Sequence, residues 1–507
     1  MFESRRDFFK KLAAIYLLLR YMKNSVSILL SGIFFLFACC SKEKDNSDNN
    51  PPDPDLPVQI ITIDKSIKYQ TIDGFGFFGG YDVWWGNAAN MWNDAWGDKI
   101  ISDLGITIWR NEYYPPSTPA VTQDADWAKQ KPVVEGLKAK AAKYGVSLKY
   151  VFSVWSPPAD LKWECSLAWA GDPNATRNPG NVSTKNGGTL NPNKYPEYAD
   201  WLKAGIKLYK DVGIDLHALS LQNELMFKQF FNSCQYTITW HNEMVNAVVP
   251  KIKETYPDVR IFGAENMLEM EGKEANWKWF YHSGIKANPA TAGNIDILAV
   301  HGYSDGVAAT SGSELARMWT NHTEQFAGPM NKPVWMSETS GYVDAWAGSG
   351  SKPGALSLAM DIYSALAYGN ISAWIWWQGS QMDGLGEFNL MYGNSVGKRY
   401  NVSKHYYRYI RPGAVRVRST SADEDIFCTA YENSAKNTIT IVVINSSSAD
   451  KKIAIEGTDL PQAFSMYRTN SESDNCSMIK DVKPGTPNAF ILPSKSIITL
   501  QAGGDAL

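Results

Sequence analysis

Two glutamates in this sequence stand where a run of apolar residues gives way to polar ones. Glu224 follows Gln222 and Asn223 in "LSLQNELMF" (219–227), and Glu338 ends "PVWMSE" (333–338). A polar triplet of this kind marks either a strand that has reached the surface or a catalytic acid held beside an amide. Two carboxyl groups about 5 Å apart can cleave a glycosidic bond, because one protonates the leaving oxygen while the other attacks the anomeric carbon.

The segments around these glutamates alternate between apolar strands and amphipathic helices. Eight strand candidates follow one another: "FGFFGG" (75–80), "GITIWRN" (105–111), "LKYVFSVW" (148–155), "HALSLQN" (217–223), "VRIFGAE" (259–265), "IDILAVH" (295–301), "PVWMSE" (333–338) and "SAWIWWQ" (372–378). Helical patterns lie between them, for example at 198–213 and 355–369. Eight such units predict an α/β fold with a (β/α)8 TIM barrel. A doubly wound sheet is the second possibility, but "GFGFFGG" lacks the helix start and later acid of a dinucleotide-binding turn.

Active sites of TIM barrels lie at the carboxyl ends of the strands. The predicted strand ends carry mainly carboxylates, amides and aromatic groups: Arg110, Asn111, Glu112, Trp155, Ser156, Asn223, Glu224, Glu265, His301, Tyr303, Glu338, Trp376, Trp377 and Gln378. Aromatic faces stack on sugar rings and amides bind hydroxyl groups, so this set suits a carbohydrate. Trp155 and Trp377 are the favoured cleft residues and Trp85 is a further candidate, whereas Trp84 and Trp376 could equally belong to the core.

After residue 411 the pattern changes to alternation with a period of two, which is typical of antiparallel strands. The segment 59–74 alternates as well, and we expect it to join the C-terminal strands in one side domain. The predicted organisation is a signal or lipoprotein segment (1–40), a flexible linker (41–57), an N-terminal strand of the side domain (58–73), the catalytic barrel (74–411) and an antiparallel β-sandwich side domain (412–503).

The N-terminal segment indicates an exported protein. "VSILLSGIFFLFA" (26–38) has the length of a signal peptide, and it leads into Cys39 in a pattern that resembles a lipobox, which predicts a bacterial outer-membrane lipoprotein, periplasmic or at the cell surface. Translation could start at Met22, because "SRRDFFKKL" upstream resembles a second, twin-arginine signal. The cysteine pairs Cys165 with Cys234 and Cys428 with Cys476 are possible disulfides.

The expected partners follow from composition and from the absence of other motifs. A net charge of −3 gives no reason to expect nucleic acid. We expect a monomer that binds a polysaccharide or oligosaccharide, uses no cofactor or metal, and contacts the membrane only through its lipid.

Taken together, the motifs resemble glycoside hydrolase family 30 of clan A. The resemblance rests on "SLQNE", "VWMSE", "FSVWSPP", "HGY" and "KRYNVSKHYYRYIRPGAVRV" and covers most of residues 59–503. It implies retaining hydrolysis of β-glycosidic bonds, with Glu224 as acid/base, Glu338 as nucleophile and Asn223 against the hydroxyl next to the anomeric carbon. Leu225 departs from the pattern, because clan members often have proline there.

The family includes glucuronoxylanases, β-1,6-glucanases, β-1,6-galactanases and glucosylceramidases. Xylan or glucuronoxylan, cut within the chain, is the favoured substrate, with the β-1,6-glucanase and β-1,6-galactanase activities as alternatives. No clear glucuronate-binding arginine stands in the loops after the seventh and eighth strands. Arg399 is the nearest, and we expect it to mark the boundary between barrel and side domain.

Several strand-end residues have two interpretations. Arg110 is expected to hold the nucleophile in its charged form, because a nearby cation favours an ionised carboxylate; the alternative is a structural ion pair. Tyr303 is expected to donate a hydrogen bond to the nucleophile, and His301 to line the cleft. Glu265 is expected to be structural, and Glu112 is either a substrate contact or a partner of Arg110.

Two other functions stay open. A surface glycan-binding lipoprotein without catalysis would keep the aromatic residues but could lose a glutamate, and both glutamates are present. A metal-dependent barrel hydrolase would need several histidines at the strand ends, where His301 stands alone.

Overall fold

A computed structural model describes residues 56–79, 92–116, 123–272, 280–303, 310–381 and 384–504. The predicted signal segment with Cys39, and both Trp84 and Trp85, lie outside these residues. Within them, the search for a helix both long and apolar enough to span a bilayer finds none.

Strands and helices alternate up to residue 407, and strands predominate from residue 415 onward. The strands are β1 (Val58–Thr71), β2 (Gly74–Phe78), β3 (Ile108–Glu112), β4 (Lys149–Ser153), β5 (Lys162–Ser166), β6 (Thr176–Asn178), β7 (Thr189–Leu190), β8 (Ala218–Ser220), β9 (Arg260–Met267), β10 (Ile297–Gly302), β11 (Val334–Thr339), β12 (Ala373–Trp376), β13 (Ser380–Gln381), β14 (Met391–Tyr392), β15 (Ser395–Val396), β16 (Val415–Ser421), β17 (Ile426–Asn433), β18 (Thr438–Asn445), β19 (Lys451–Gly457), β20 (Phe464–Thr469), β21 (Asn475–Val482), β22 (Phe490–Leu492) and β23 (Ser496–Gly503). The α-helices are α1 (Asp94–Asp98), α2 (Gln123–Lys143), α3 (Tyr195–Asp211), α4 (Ile238–Lys253), α5 (Leu268–Glu271), α6 (Tyr281–Ala287), α7 (Pro289–Asn294), α8 (Glu314–His322), α9 (Gly328–Met330), α10 (Ala355–Ala367) and α11 (Lys398–Tyr407).

In the described part of the chain, eight parallel strands close into a barrel in chain order: β2, β3, β4, β8, β9, β10, β11 and β12. Each of them overlaps one of the eight segments predicted as barrel strands, so the prediction of a TIM barrel is confirmed. β2 and β3 approach so closely that a Cβ on Gly76 would lie 1.8 Å from the carbonyl oxygen of Ile108. Only glycine can occupy that position without moving the neighbouring strand.

Apolar side chains fill the lower part of the barrel interior. Ile108, Val151, Ala218, Ala299 and Trp335 are buried there in one cluster, each contributed by a different strand. Because strand side chains alternate between two faces, the residues two positions further along also point inward, one layer higher. That higher layer is where the polar residues begin.

The side domain is a nine-stranded sheet in the order β21-β20-β23-β18-β17-β16-β1-β19-β22. β1 pairs antiparallel with β16, with Ile61 opposite Ser421, and parallel with β19, with Val58 opposite Lys452. The predicted antiparallel side domain is confirmed as a mostly antiparallel sheet. The pairing of β1 with β19 is parallel, because β16 and β19, the two neighbours of β1, run in opposite directions. Ile61, Ile63 and the alternate residues of the later strands form a separate apolar core.

Helix α11 lies between the barrel and the side sheet. The Tyr407 hydroxyl donates to the carbonyl of Gly76 on β2 at 3.1 Å. On the other side, the His405 ring is 2.8 Å from the hydroxyls of Thr469 on β20 and Thr499 on β23. Helix α11 thus makes hydrogen bonds to the barrel and to the side sheet through buried polar groups, which fixes the sheet against the barrel.

Candidate active site

The upper layer of the barrel interior is polar although the layer below it is apolar. Arg110 lies two residues after Ile108, Ser153 two after Val151, and His301 two after Ala299. The three polar side chains are fully buried. The alternation of the strands therefore turns these polar groups inward, where they can meet one another beneath the end of the barrel.

Two irregularities in the strand pairing position the glutamates. The register between β10 and β11 shifts after Val300, so that His301 pairs with Glu338. The register between β10 and β9 shifts after Ala299, at Glu265, whose φ is 50°. Strict alternation from Trp335 would have turned Ser337 inward in place of Glu338. A bulge of this kind re-aims a side chain, and bulges are frequent beside active sites.

Arg110 is the central group of the buried layer. Its Nη1 donates to Oε2 of Glu338 at 2.6 Å, and its Nη2 donates to Oε1 of Glu265 and to Oδ1 of Asn223, both at 2.9 Å. Its Nε donates to the Ser153 hydroxyl at 3.1 Å. The planar fork of one guanidinium thus binds groups from four strands or strand ends at once, which a lysine could not do.

His301 joins the two other glutamates. Its Nδ1 is 3.0 Å from Oε1 of Glu224, and its Nε2 is 3.4 Å from Oε1 of Glu265. Burial alone would lower the pKa of His301, but the charge of Glu338 and the hydrogen bonds to Glu224 and Glu265 outweigh it and raise that pKa to about 9. The imidazole is therefore a cation at neutral pH, with both ring nitrogens donating.

Glu224 and Glu338 lie close together. One oxygen of each carboxyl group and one ring nitrogen of His301 all lie within 4.8 Å of one another. The Tyr303 hydroxyl donates to Oε1 of Glu338. Glu224 has a φ of 46°, a left-handed conformation that is uncommon outside glycine.

The surroundings of Glu224 and Glu265 shift the pKa values of these two carboxyl groups in opposite directions. Burial raises the pKa of Glu224 above its ordinary value, against the hydrogen bond from His301. Burial would also raise the pKa of Glu265, but the charges of Arg110 and His301 lower it overall. Two carboxyls that differ in this way can hold different protonation states at one pH, which is how acid and base roles are separated.

The carboxyl groups open into a cleft of about 770 Å³ at the end of the barrel. Its lining is mostly aromatic and carboxylic: Glu112, Tyr114, Trp155, Lys185, Glu224, Phe227, Gln229, Phe230, Phe231, Asn232, Met267, Tyr303, Glu338 and Trp377. Trp155 and Trp377 lie 5.9 Å apart between ring centroids, and Phe78 stacks on Trp377 at 4.4 Å. The cavity has the size and aromatic lining of a small-ligand or saccharide site.

The residues predicted for substrate contact fall into two groups. Trp155, Trp377 and Tyr303 line the cleft. Arg110 and His301 lie beneath it with fully buried side chains, and their described hydrogen bonds are made to protein groups. Asn223 and Gln378 are also buried and outside the cleft lining, and Trp376 is wholly inside the core.

Several cleft residues were not singled out from the sequence. Phe230 and Phe231 lie on the loop that follows Glu224, and Lys185 and Asn232 meet across an isolated β-bridge. An adjacent aromatic pair soon after the glutamate was the available signal. Glu112, for which two interpretations were open, accepts a hydrogen bond from Asn232 at 3.2 Å, whereas the four described partners of Arg110 are other residues.

Glu224, His301 and Glu338 have the spacing of a three-ligand metal site. Their available electron pairs, however, are already directed at cations and donors: Arg110 and Tyr303 bind the two oxygens of Glu338, and the His301 ring donates to Glu224. A divalent ion would have to lie beside a fully buried guanidinium. These residues are therefore poorly suited to bind a metal ion and well suited to a reaction in which the two carboxyl groups themselves take part.

Two further expectations concern residues away from the cleft. Cys165, Cys234, Cys428 and Cys476 are free thiols, so neither possible disulfide is present in the structure. Arg399 is buried on α11 and donates to the carbonyls of Tyr342 and Asn389 at 2.6 and 2.7 Å, outside the cleft lining. It packs the segment between barrel and side sheet.

Comparison with known proteins gives matches for both parts of the chain. A model of the glycosyl hydrolase family 30 β-sandwich domain matches residues 413–500. The chain is 25% identical to the glucuronoxylanase XynC of Bacillus subtilis strain 168 over an alignment of 411 residues. The alignment covers 78% of this chain and 79% of that protein.

Solved structures share the architecture at lower identity. A GH30 endoxylanase from Clostridium papyrosolvens C71 is similar with a TM-score of 0.67 and 21% identity, covering 88% of this chain and 100% of its own. The endo-β1,6-glucanase BT3312 is similar with a TM-score of 0.65 and 20% identity, covering 89% and 94%. The likeness to these two structures shows a common fold of barrel and side sheet.

Proposed function

The chain belongs to glycoside hydrolase family 30, and on that premise we propose that it is a retaining enzyme that cleaves β-glycosidic bonds within a polysaccharide. The observation that carries the proposal is the Glu224–Glu338 pair, whose carboxyl oxygens lie within 4.8 Å of one another. Retaining enzymes hold the two carboxyls about 5–5.5 Å apart, whereas inverting enzymes need roughly 6.5–9.5 Å to admit a water molecule.

Glu338 is the nucleophile in this proposal. The hydrogen bonds from Arg110 and Tyr303 hold both of its oxygens in place. One oxygen attacks the anomeric carbon while the bond from that carbon to the leaving oxygen breaks. The product of this step is a glycosyl ester on Glu338.

Glu224 acts as acid and then as base. Burial raises its pKa, which favours the protonated form that the leaving oxygen needs. In the second step the resulting carboxylate takes a proton from water while the water oxygen bonds to the anomeric carbon and the ester bond breaks. Both carboxyl groups return to their starting states, and two inversions give net retention.

Arg110 and His301 act on the carboxyl groups rather than on the sugar. Arg110 pairs with Glu265 and Glu338, and His301 contacts Glu224 and Glu265. Arg110 holds the orientation of the nucleophile, and His301 holds that of the acid.

Substrate contacts are assigned to residues that face the cleft. Trp155 and Trp377 supply aromatic faces, and Tyr303 lies beside the nucleophile. Asn223 is buried outside the cleft lining, directly before Glu224, and its Oδ1 accepts a hydrogen bond from Arg110. Its Nδ2 makes no hydrogen bond in the described part of the chain, so we assign it as a donor to the hydroxyl next to the anomeric carbon. For Gln378 and Trp85 the assignment rests on the sequence alone.

Xylan or glucuronoxylan is the proposed substrate, since the relative named above with the highest sequence identity, 25%, is a glucuronoxylanase. A β-1,6-glucan or β-1,6-galactan is the alternative, supported by the likeness to an endo-β1,6-glucanase. The buried position of Arg399 gives no support to its use for a glucuronate.

A panel of xylan, glucuronoxylan, β-1,6-glucan and arabinogalactan tests the proposal by reducing-sugar release. We expect release from one xylan substrate, oligosaccharide products from within the chain, and loss of nearly all release in Glu338→Gln. Binding to a glycan without release, by both the parent and the variant, would show a glycan-binding protein without catalysis.

We also propose that Cys39 carries a lipid and anchors the protein to the outer membrane. The support is the apolar segment 26–38 and the lipobox-like residues before Cys39. Cys39→Ser should abolish palmitate labelling and leave the protein soluble or unprocessed. Unchanged membrane fractionation and labelling would contradict the anchor.

A further inference from the structure

Two phenylalanines beside the carboxyl pair are held out towards solvent. Phe230 is 80% exposed and Phe231 is 39% exposed, and both line the same cleft as Glu224. They lie six and seven residues after Glu224, on the loop between β8 and α4. Keeping two large apolar side chains in water is unfavourable, and an exposed apolar patch at a cleft is therefore a mark of a binding surface.

The turn that carries them is closed by one serine. The Ser233 hydroxyl accepts from the backbone N–H of Gln229 at 3.0 Å and donates to its carbonyl at 3.2 Å. The same hydroxyl accepts from the N–H of Gly187 at 3.0 Å. The backbone of the turn is thus ordered before any ligand arrives, so little entropy is lost when a ligand binds.

Further bonds fix the turn to the rest of the cleft wall. Asn186 donates its N–H to the carbonyl of Gln229 at 2.7 Å, and Ser233 donates its N–H to the carbonyl of Thr184 at 3.0 Å. Next to the aromatic pair, Asn232 donates to Glu112 at 3.2 Å. The turn is therefore tied both to the 184–187 segment and to the end of β3, on the Glu224 side of the cleft.

A buried lysine completes this wall. Nζ of Lys162 donates to the Ser156 hydroxyl at 3.0 Å and to the carbonyls of Ser183 and Ser233 at 3.0 and 2.9 Å. It joins the segment after Trp155, the 183–187 segment and the aromatic turn. The backbone of the turn that carries the aromatic pair is consequently bonded into the same wall as the segment after Trp155.

The two rings form a corner rather than a flat shelf. Their centroids are 5.2 Å apart and their planes meet at 81°. A corner of this size can cover the face of one sugar ring with one phenyl group and its edge with the other. Aliphatic C–H groups of a pyranose give such contacts, whereas the polar groups of the ring stay in water.

We propose that Phe230 and Phe231 form a stacking site for the sugar residue on the leaving-group side of the cleaved bond. The side follows from the position of the acid: Glu224 must reach the leaving oxygen, and the pair lies on the same loop as Glu224, bonded to the end of β3 and to the segment after β4, whereas Glu338 lies on β11. The inference rests on the proposed function, because it takes Glu224 as the acid. With this stacking site, the enzyme should hydrolyse substrates efficiently only when the leaving group is a sugar, as in a chain that continues past the cleaved bond.

Kinetics on two substrates test the site. The first is the polysaccharide that the parent hydrolyses, and the second is a β-glycosyl fluoride of the same glycone, whose leaving group is too small to reach the corner. For Phe230→Ala with Phe231→Ala, the ratio of kcat/KM on polysaccharide to kcat/KM on fluoride should fall by about tenfold or more, which corresponds to about 1.4 kcal/mol. Phe230→Trp keeps an aromatic face and should retain the ratio.

Transfer to an added oligosaccharide separates the two sides of the cleaved bond. An acceptor sugar occupies the leaving-group side during the second step, so the double variant should form less transfer product per fluoride released. Met478→Ala is the matched control, because Met478 is an exposed apolar residue (51%) of the side sheet; it should match the parent in both ratios.

The outcomes are distinct. An unchanged polysaccharide-to-fluoride ratio and an unchanged transfer ratio would overturn the stacking site. A lower polysaccharide ratio with normal transfer would place the contact on the other side of the cleaved bond and would also overturn it. A parent that hydrolyses neither the glycans nor the fluorides would instead refute the proposed function.

Discussion

The guanidinium of Arg110 and the carboxylate of Glu338 are joined by a 2.6 Å hydrogen bond between two side chains that are both almost completely buried. The bond connects β3 to β11 across the interior of the barrel. The same guanidinium also binds Glu265 and Asn223, so the orientation of the nucleophile depends on a group that never meets the cleft.

Arg110→Lys keeps the charge but loses the fork that binds four groups. We expect kcat to fall by roughly 100-fold or more, because a small displacement of the nucleophile is costly. Arg110→Gln leaves Glu265 and Glu338 without a cation and should cost about 3–5 kcal/mol of stability. Kinetics and chemical denaturation measure the two effects. Arg177→Lys, in a half-exposed pair with Glu243, is the control. A fully active Arg110→Lys enzyme would contradict the positioning role.

Azide should report which glutamate is the nucleophile. In Glu224→Ala the glycosyl ester still forms, and azide replaces the water that lacks its base, which gives a β-glycosyl azide. In Glu338→Ala azide enters from the vacated face and gives the α product. NMR of the adducts, with an aryl glycoside of the accepted sugar, distinguishes them. Reversed stereochemistry would mean that the two roles are exchanged.

His301 should set the alkaline limit of activity. Its hydrogen bond and charge lower the pKa of Glu224, against the larger effect of burial. His301→Gln removes the charge, so the pKa of Glu224 should rise and the acid should stay protonated to higher pH. The alkaline limb of kcat/KM on polysaccharide should therefore move upward. His405→Gln, at a buried histidine outside the cleft, should leave that limb in place. A downward shift in His301→Gln would contradict the assignment.

Glu112 should make stability depend on pH. Burial raises its pKa from 4.5 to about 8 in the folded protein. The neutral form is therefore favoured by folding, and its contribution is complete below pH 4.5 and is lost as the pH rises through 8, by at most about 1.4 kcal/mol per pH unit. Glu112→Gln should remove this dependence. The free energy of unfolding of the variant, measured relative to the parent, should therefore be higher at pH 8 than at pH 4.

The control for that experiment is a second buried acid. Burial raises the pKa of Glu271, outside the cleft, to about 7. Glu271→Gln should remove a different part of the pH dependence, and the two effects should add if the sites are independent. Equal slopes in the parent and Glu112→Gln, measured by denaturation across pH 4–9, would show that Glu112 is already charged when folded.

The barrel strands were predictable because each is a buried apolar run between helices. The segment 333–338 was expected and β11 spans Val334–Thr339. The inward direction of Glu338 was not predictable, since it depends on the shifted pairing with β10. Periodicity alone turns Ser337 inward, and a bulge has no signature in a single sequence.

The cleft wall made by the long segment after β4 was the least predictable part. Its strands β5, β6 and β7 have two to five residues each and carry no periodic signal. The bonds from Lys162 and Ser233 that order it join residues distant in sequence. An exposed Phe230 also resembles an ordinary loop residue until its place beside Glu224 is known.

The position of β1 in the side sheet has a consequence for biosynthesis. β1 is synthesised before the barrel, yet its two neighbours, β16 and β19, lie beyond residue 414. The strand must remain unpaired while more than three hundred residues are made, and the contact that completes it closes a very long loop. A nascent chain stopped after α11 would expose the alternating apolar residues Ile61 and Ile63, so chaperones or translocation factors would meet this strand before any native partner exists.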